Sequence, residues 1–295
     1  RGVLEYDGKT WRKIPVPQNV SVKSLAVDSL GTVYVGTIGN FGYLAPNETG
    51  SLEFKSLLDA VTDSIGHFSD VLRIHAFNER VYFYNRAYLF IYDGSKVDVI
   101  DVNPERRYAN LYSFYLNNQY YIGSFVLGLR QLVDGKFVIA PNGQFFERTS
   151  IAGMIPNTDS TAIVVTISET DQNLYNYNQI TGEVKPLDFN DSFYKKLFEK
   201  GVPYDATSIN ENTFGIGNLF SDNYSFIQLD SKGYPMAVLS KESGLLDETV
   251  ISLYQSKFFG GSNPLWLPLN IGISRVDIQS PVRRISEESG IRGAI

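Results

Sequence analysis

The sequence contains no cysteine and only two histidines and two tryptophans. Without cysteine there can be no disulfide, thiolate metal site or cysteine nucleophile; the compartment stays open, because many exported proteins also lack disulfides. His67 and His75 stand eight residues apart on a loop and a strand. A metal site needs more ligands than two, so each reads as an ordinary surface or packed side chain, and no metal or cofactor is expected. No apolar run approaches the ~18 residues of a membrane span, and Arg1 does not open a signal peptide. Basic residues are outnumbered, 26 against 32 acidic, for a net charge of −6. That balance argues against nucleic acid as a partner. The pairs Arg106-Arg107 and Arg283-Arg284 are isolated and read as solvated turns. Nucleophile-elbow, phosphate-loop and Glu-x-x-His patterns are all missing. Glu287-Glu288 and the Asp188/Asp191 pair lie in polar connections, so no catalytic residue is assigned.

What the chain does have is aromatic residues, 19 Tyr and 19 Phe, and internal repetition. Aromatics suit pleated, half-buried surfaces. Glu242-Ser243-Gly244-Leu245 recurs as Glu288-Ser289-Gly290-Ile291, an offset of 288 − 242 = 46 residues. The opening Gly2 to Asp7 reads like Gly272 to Asp277. A period of this size, built from short alternating strands, predicts a four-stranded propeller blade that cannot bury its apolar face alone.

The expected fold is all-β: a single β-propeller region over 1–295, of about seven four-stranded antiparallel blades, six of them complete. A partial blade is placed at 1–16 and full ones at about 22–57, 68–100, 107–140, 149–188, 204–240 and 249–287, with a further blade starting at 291–295. Gly36, Gly123 and Gly217 mark equivalent positions two units apart. Asp-Gly at 7–8, 93–94 and 134–135 predicts hairpin turns between third and fourth strands. Helix is expected only at Leu57–Ile65 and Asp191–Glu199. Both ends fall in mid-repeat, which predicts a piece of a longer protein, less stable than one extended past Ile295.

In a propeller, the loops between second and third strands share a face with the connections between blades, where ligands commonly sit. From these loops the candidate ligand-binding residues are Asn40, Phe41, Arg86, Phe125, Asn218, Phe220 and Asn270. Amides and a guanidinium would meet sugar hydroxyls and aromatics the sugar ring. The alternative is that Asn and Gly serve the turns while Phe fills space between blades.

Asp7-Gly8-Lys9-Thr10-Trp11 compares with the Asp box of sialidase-type propellers, but it is one residue short and lacks the Ser. A hairpin turn with Trp11 packed behind it is the expected arrangement. A closer likeness lies in Ser243-Gly244-Leu245, Val250 to Tyr254, Leu265-Trp266-Leu267 and Asn270 to Val276. This stretch resembles the repeat of two-component regulator propellers, whose pattern runs Ser-Gly-Leu, Asp-x-x-Gly, Leu-Trp-x-Gly and Gly-Leu-x-x-Tyr. Val22 to Leu44 and Gly2 to Ile14 are similar to opening blades of the same sensors, notably bacterial ones with a triple-tyrosine domain. The likeness is strong at both ends and weak between 145 and 240; Pro268 stands where the repeat has a small residue.

The resemblance implies an extracytoplasmic sensor region, periplasmic or extracellular, non-catalytic, and tied to a membrane through a segment outside this stretch. It implies a small-molecule or oligosaccharide ligand and leaves a homodimer open. A secreted propeller lyase or glycoside hydrolase, and a protein-binding scaffold, are the alternatives.

Overall fold

In the computed structural model the described residues are 1–6, 9–61, 65, 68–102, 111–167, 174–187, 201–221, 223–256 and 264–278. They form 25 strands, and the only helical segments among them are 3₁₀ turns at Pro17–Asn19, Leu58–Ala60 and Gly143–Phe146. Strands β1 (Gly2–Tyr6) and β2 (Trp11–Pro15) pair as a two-stranded sheet. The first full blade holds β3 (Val22–Val27), β4 (Val33–Thr37), β5 (Phe41–Pro46) and β6 (Leu52–Ser56). The second holds β7 (Arg73–Phe77), β8 (Arg80–Tyr84), β9 (Tyr88–Tyr92) and β10 (Val97–Asp101). The third is β11 (Leu111–Leu116), β12 (Gln119–Ser124), β13 (Gly128–Val133) and β14 (Lys136–Ile139). The fourth is β15 (Ser150–Pro156), β16 (Thr161–Ile167), β17 (Leu174–Asn178) and β18 (Val184–Pro186). The fifth is β19 (Val202–Asn210), β20 (Thr213–Leu219), β21 (Phe226–Asp230) and β22 (Pro235–Leu239). In the sixth, β23 (Tyr254–Gln255), β24 (Leu265–Pro268) and β25 (Ile273–Val276) are described. Every sheet runs in chain order, neighbour to neighbour, which is the blade of a β-propeller.

Turns between first and second strands and between third and fourth strands are built from one device. An Asp or Asn accepts two backbone N–H groups of its own turn, as free side-chain carboxylates and amides readily do. Asp28 Oδ1 takes Leu30 and Thr32 N–H at 2.9 and 2.8 Å. Asp93 Oδ1 takes Ser95 and Lys96, and Asp230 Oδ1 takes Lys232 and Tyr234. Asn47 and Asn178 do the same. Asp134-Gly135 is a tight hairpin turn with φ of 47° and 76°, as its sequence predicts. Asp7-Gly8 lies outside the described residues.

Contacts group the chain into two compact units: Arg1–Tyr115 with Gln119–Ile122 and Arg130–Val138, and Leu116–Asn118 with Gly123–Leu129 and Ile139–Ile295. The core of the first unit is aromatic. Phe41 stacks on Phe90 at 4.5 Å between ring centres and meets Phe83 at 4.8 Å, and Tyr82, Tyr84 and Tyr120 pack with Leu89, Ile122 and Phe137. The second unit is aliphatic between its fourth and fifth blades, where Ile155, Ile163, Val165 and Leu174 meet Ile216, Ile227 and Leu229. Each such side chain contributes about 1.5–3 kcal/mol by leaving water.

Three expectations are corrected. Of the helix expected at Leu57–Ile65, the described stretch 57–61 is not helical beyond a single 3₁₀ turn at Leu58–Ala60, which ends at Val61 with extended backbone (φ −97°, ψ 122°), because Leu57 and Val61 are drawn into the blade core; 62–64 fall outside the described residues. Trp11 is not packed behind its turn; it is 61% exposed and stacks on Tyr6 at 4.7 Å. The inner strand of the sixth blade is Tyr254–Gln255 rather than Val250 to Tyr254, with Val250 joined to Leu269 by an isolated bridge. Pro268 has no N–H to give to that ladder. Asp191–Glu199, His67, both Arg-Arg pairs, Glu287-Glu288 and Asp188/Asp191 fall outside the described residues.

Candidate functional site

The loops that follow the second strand of each blade share a construction set by the sequence just before them. Gly36, Gly123 and Gly217 sit near the end of β4, β12 and β20, and each faces a β-branched residue leading into the next blade. A Cβ on Gly36 would lie 2.7 Å from a Val71 methyl, and one on Gly217 would lie 2.7 Å from a Val250 methyl. Gly123 faces Ile151 at 3.1 Å in the same way. The glycines are small because a β-branched side chain occupies the space. His75, the described histidine, is half-buried, with Nε2 3.2 Å from Ser113 Oγ and its ring edge-on to Tyr120.

A buried polar residue then ends the strand and ties the loop. In the first unit, Thr37 has no exposed surface; its Oγ1 donates to the Asn40 carbonyl at 3.0 Å and its own carbonyl accepts the Val71 N–H at 3.0 Å. Asn85 is equally buried; its Nδ2 donates to Ser69 Oγ and the Asp70 carbonyl, and its Oδ1 accepts the Ala87 N–H at 2.7 Å. Gly39 donates its N–H to the Ser69 carbonyl, and Ile38 bridges Asp70. Loops 37–41 and 85–87 are thus fastened to one short segment, Ser69-Asp70, where Lys23 Nζ meets Asp70 at 2.9 Å. Beneath them, burial pushes the Tyr84 phenol well up, against the opposing effect of the Arg86 cation.

The second unit repeats the scheme. Ser124 Oγ accepts the N–H groups of Val126 and Leu127, and the Phe125 carbonyl accepts the Arg148 N–H at 2.7 Å. Asn218 is fully buried; its Nδ2 donates to the Tyr224 carbonyl at 2.6 Å and its carbonyl accepts the Val250 N–H at 2.9 Å. Thr249 joins two loops, accepting the Phe220 N–H on Oγ1 at 3.2 Å and the Asn270 N–H on its carbonyl at 3.1 Å.

Of the residues singled out by sequence, four reach solvent. Arg86 is exposed in the first unit; Phe125 (45%), Phe220 (75%) and Asn270 are exposed in the second. Asn40 is half-buried, with Oδ1 accepting from the Phe41 N–H and Ser56 Oγ. Phe41 is wholly buried in the aromatic core and Asn218 has no exposed surface, so both support loops from beneath. Sequence reading missed Thr249 and Ser69-Asp70. Their signal is only their distance-spanning bonds, 29 residues from Phe220 to Thr249. No group of three or more His, Cys, Asp or Glu side chains that could hold a metal ion occurs among the described residues.

No family model matches the chain, and no curated protein matches it. Solved structures do. The extracellular domain of BT4673 from B. thetaiotaomicron, assigned to a one component system, aligns with a TM-score of 0.64 at 14% identity over 93% of this chain and 36% of that one. Virginiamycin B lyase from Staphylococcus aureus aligns with a TM-score of 0.60 at 10% identity, over 90% of this chain and 86% of that one. The WD40 β-propeller domain of Doa1 gives 0.65 at 11% identity, over 94% and 86%. This chain spans about a third of the BT4673 chain it matches. The architectures it resembles therefore include an extracellular domain of a one component system, a lyase and a WD40 domain, and what they share with it is the β-propeller fold.

Proposed function

We propose that this chain is the extracytoplasmic ligand-sensing propeller of a bacterial two-component-type receptor or transcriptional regulator, binding a glycan or other small molecule without turnover. The observation that carries this reading is the contrast between clamped loop backbones and free loop side chains: Arg86, Phe125, Phe220 and Asn270 project to solvent from segments tied by buried Thr37, Asn85, Ser124, Asn218 and by Thr249. Pre-ordered loops lose little entropy on binding. The fold likeness to the BT4673 extracellular domain supports the reading. Among the described residues no helix is long and apolar enough to cross a membrane; the reading itself assigns the anchor to another segment of the parent receptor.

In this reading each unit's loops act by themselves. In the first, Arg86 meets hydroxyls with Asn40 and Phe41 acting from below; in the second, Asn270 meets hydroxyls and Phe125 and Phe220 meet sugar rings, with Asn218 acting from below. The partners are the ligand and, in the assembled receptor, a second copy of the chain, not nucleic acid. Binding transmits a signal only by favouring one arrangement of the receptor over another. Isothermal titration against defined oligosaccharides, with chromatography of the recovered sugar, tests it. Saturable binding with unchanged sugar is expected. Product formation would instead establish a lyase or hydrolase.

A further inference from the structure

The loop after β20 departs from its siblings in one respect. In three sibling loops the residue that turns the chain through the left-handed region is glycine: Gly39 (φ 67°), Gly128 (φ 68°) and Gly272 (φ 86°). In the fifth blade that conformation is taken by Phe220, at φ 54°. A β-carbon is strained there, and for a bulky aromatic the conformation is rare. Glycine would relieve the strain, as it does three times elsewhere in the same chain. The loop is also longer, with residues 220–225 between β20 and β21 against 38–40 between β4 and β5.

The surroundings hold the strain in place and aim it outward. Thr249 Oγ1 accepts the Phe220 N–H, Ser221 is fully buried beside it, and Ser221 Oγ accepts the Tyr224 N–H at 3.2 Å. At the foot of the loop, the Oδ1 of fully buried Asn218 has no hydrogen-bond partner. Strain and an unsatisfied buried acceptor in one loop mark a place kept for something other than stability. What the loop presents is a phenyl ring that is 75% exposed. Thr249 ties the same loop to Asn270, next to Ile271 (67% exposed), and Leu246 (62% exposed) lies against Gly272.

We infer that Phe220 is a specificity-determining residue of the ligand site, its ring stacking on the apolar face of a neutral hexopyranose or pentopyranose unit, with exposed Asn270, whose backbone is held by the same Thr249, supplying an amide for a hydroxyl. This rests on the glycan reading above and narrows it to the cluster of Phe220, Leu246, Thr249, Asn270 and Ile271. An exposed aromatic ring, exposed Leu246 and Ile271 on the segments tied to the same loop and one neutral amide suit an uncharged sugar: these residues offer hydrophobic area and a hydrogen-bond partner and include no cation for an acidic sugar.

The test uses the whole chain and its variants Phe220→Gly, Phe220→Tyr and Phe125→Ala. Each is titrated calorimetrically with cello-, manno-, galacto- and xylohexaose, and each is melted. Phe220→Gly is expected to raise Tm by about 2 °C while weakening the best hexaose by about tenfold or more; Phe220→Tyr retains binding. A Phe220→Gly protein that melts at or below the wild-type temperature overturns the argument from strain. If the wild type binds a hexaose and Phe220→Gly binds it equally well, this inference fails and the glycan reading stands. If the wild type binds none of the four, the glycan reading fails and takes the inference with it.

Discussion

The connections at the two ends of each sheet spend their polar groups differently. At one end lie the turns of Asp28, between first and second strands, and of Asn47, Asp93, Asn178 and Asp230, between third and fourth, each satisfied by its own side chain within four residues. These turns are self-contained, and the polar groups that define them are consumed in making them. At the other end, buried Thr37, Asn85 and Asn218 tie strand ends to segments distant in sequence, through the Thr37 and Asn218 carbonyls to the Val71 and Val250 N–H groups and through the Asn85 amide to the Asp70 carbonyl, while Ser124 holds its own loop at Val126 and Leu127. Turn chemistry of the first kind needs no neighbour; of the second kind, it needs the next blade. The difference shows where a propeller can vary its surface without disturbing its frame, and it is the ground for proposing recognition at the second set of loops.

The strongest way to break this contrast is at the glycine joint. Gly217→Val would place a methyl-bearing carbon 2.7 Å from Val250, so backbone or blade must shift. Overpacking of this kind costs about 1–3 kcal/mol, occasionally more. Urea unfolding should show the midpoint drop with its slope unchanged. An unchanged midpoint would mean that the joint is looser than its geometry. Next in size is Asn85→Ala, which orphans the Ala87 N–H and the acceptors at Ser69 and Asp70. Losing these part-buried bonds should cost about 1 kcal/mol, whereas Arg86→Ala next to it should stay within about 0.5 kcal/mol. Equal losses from the two would erase the distinction between clamp and presented side chain.

The smallest expected effect belongs to the outer turns. The N–H groups of Lys96 and Ser95, with the Ser95 hydroxyl, hold the Asp93 carboxyl down to about 2. The folded value is depressed below the unfolded one near 3.8, so the stabilisation is fully present above about pH 4 and is lost as pH falls through 2. Asp93→Asn should flatten that part of the acid titration of stability and leave the neutral-pH melting temperature nearly unmoved. A variant with the wild-type acid slope would show that the turn does not titrate as its bonds imply.

Much of this frame was legible because local rules wrote it. Alternation placed most of the strands, Asp134-Gly135 announced its turn, and the spacing of Gly36, Gly123 and Gly217 picked out the joints before Val71, Ile151 and Val250 explained them. The stretch from 145 to 240, where the repeat signature is weak, still builds β15 to β22, since aliphatic side chains fill a seam that aromatics fill elsewhere. Legibility failed where partners are distant. Leu57–Ile65 has helical spacing, but its apolar residues answer to the blade core. Phe41 and Phe220 follow the same kind of strand end, yet Phe41 opens β5 and meets Phe83 and Phe90, while Phe220 is turned outward by a left-handed backbone. Nothing local distinguishes the two.

The most direct test of the central claim is to map a bound oligosaccharide by amide chemical-shift changes on isotope-labelled protein. Shifts confined to one unit's loops are predicted, 37–41 and 85–87 in the first or 124–128, 218–221, 223–225 and 269–272 in the second, with the turns at 28–32, 47–51, 93–96, 178–182 and 230–234 silent. Shifts centred on those turns instead would contradict the account.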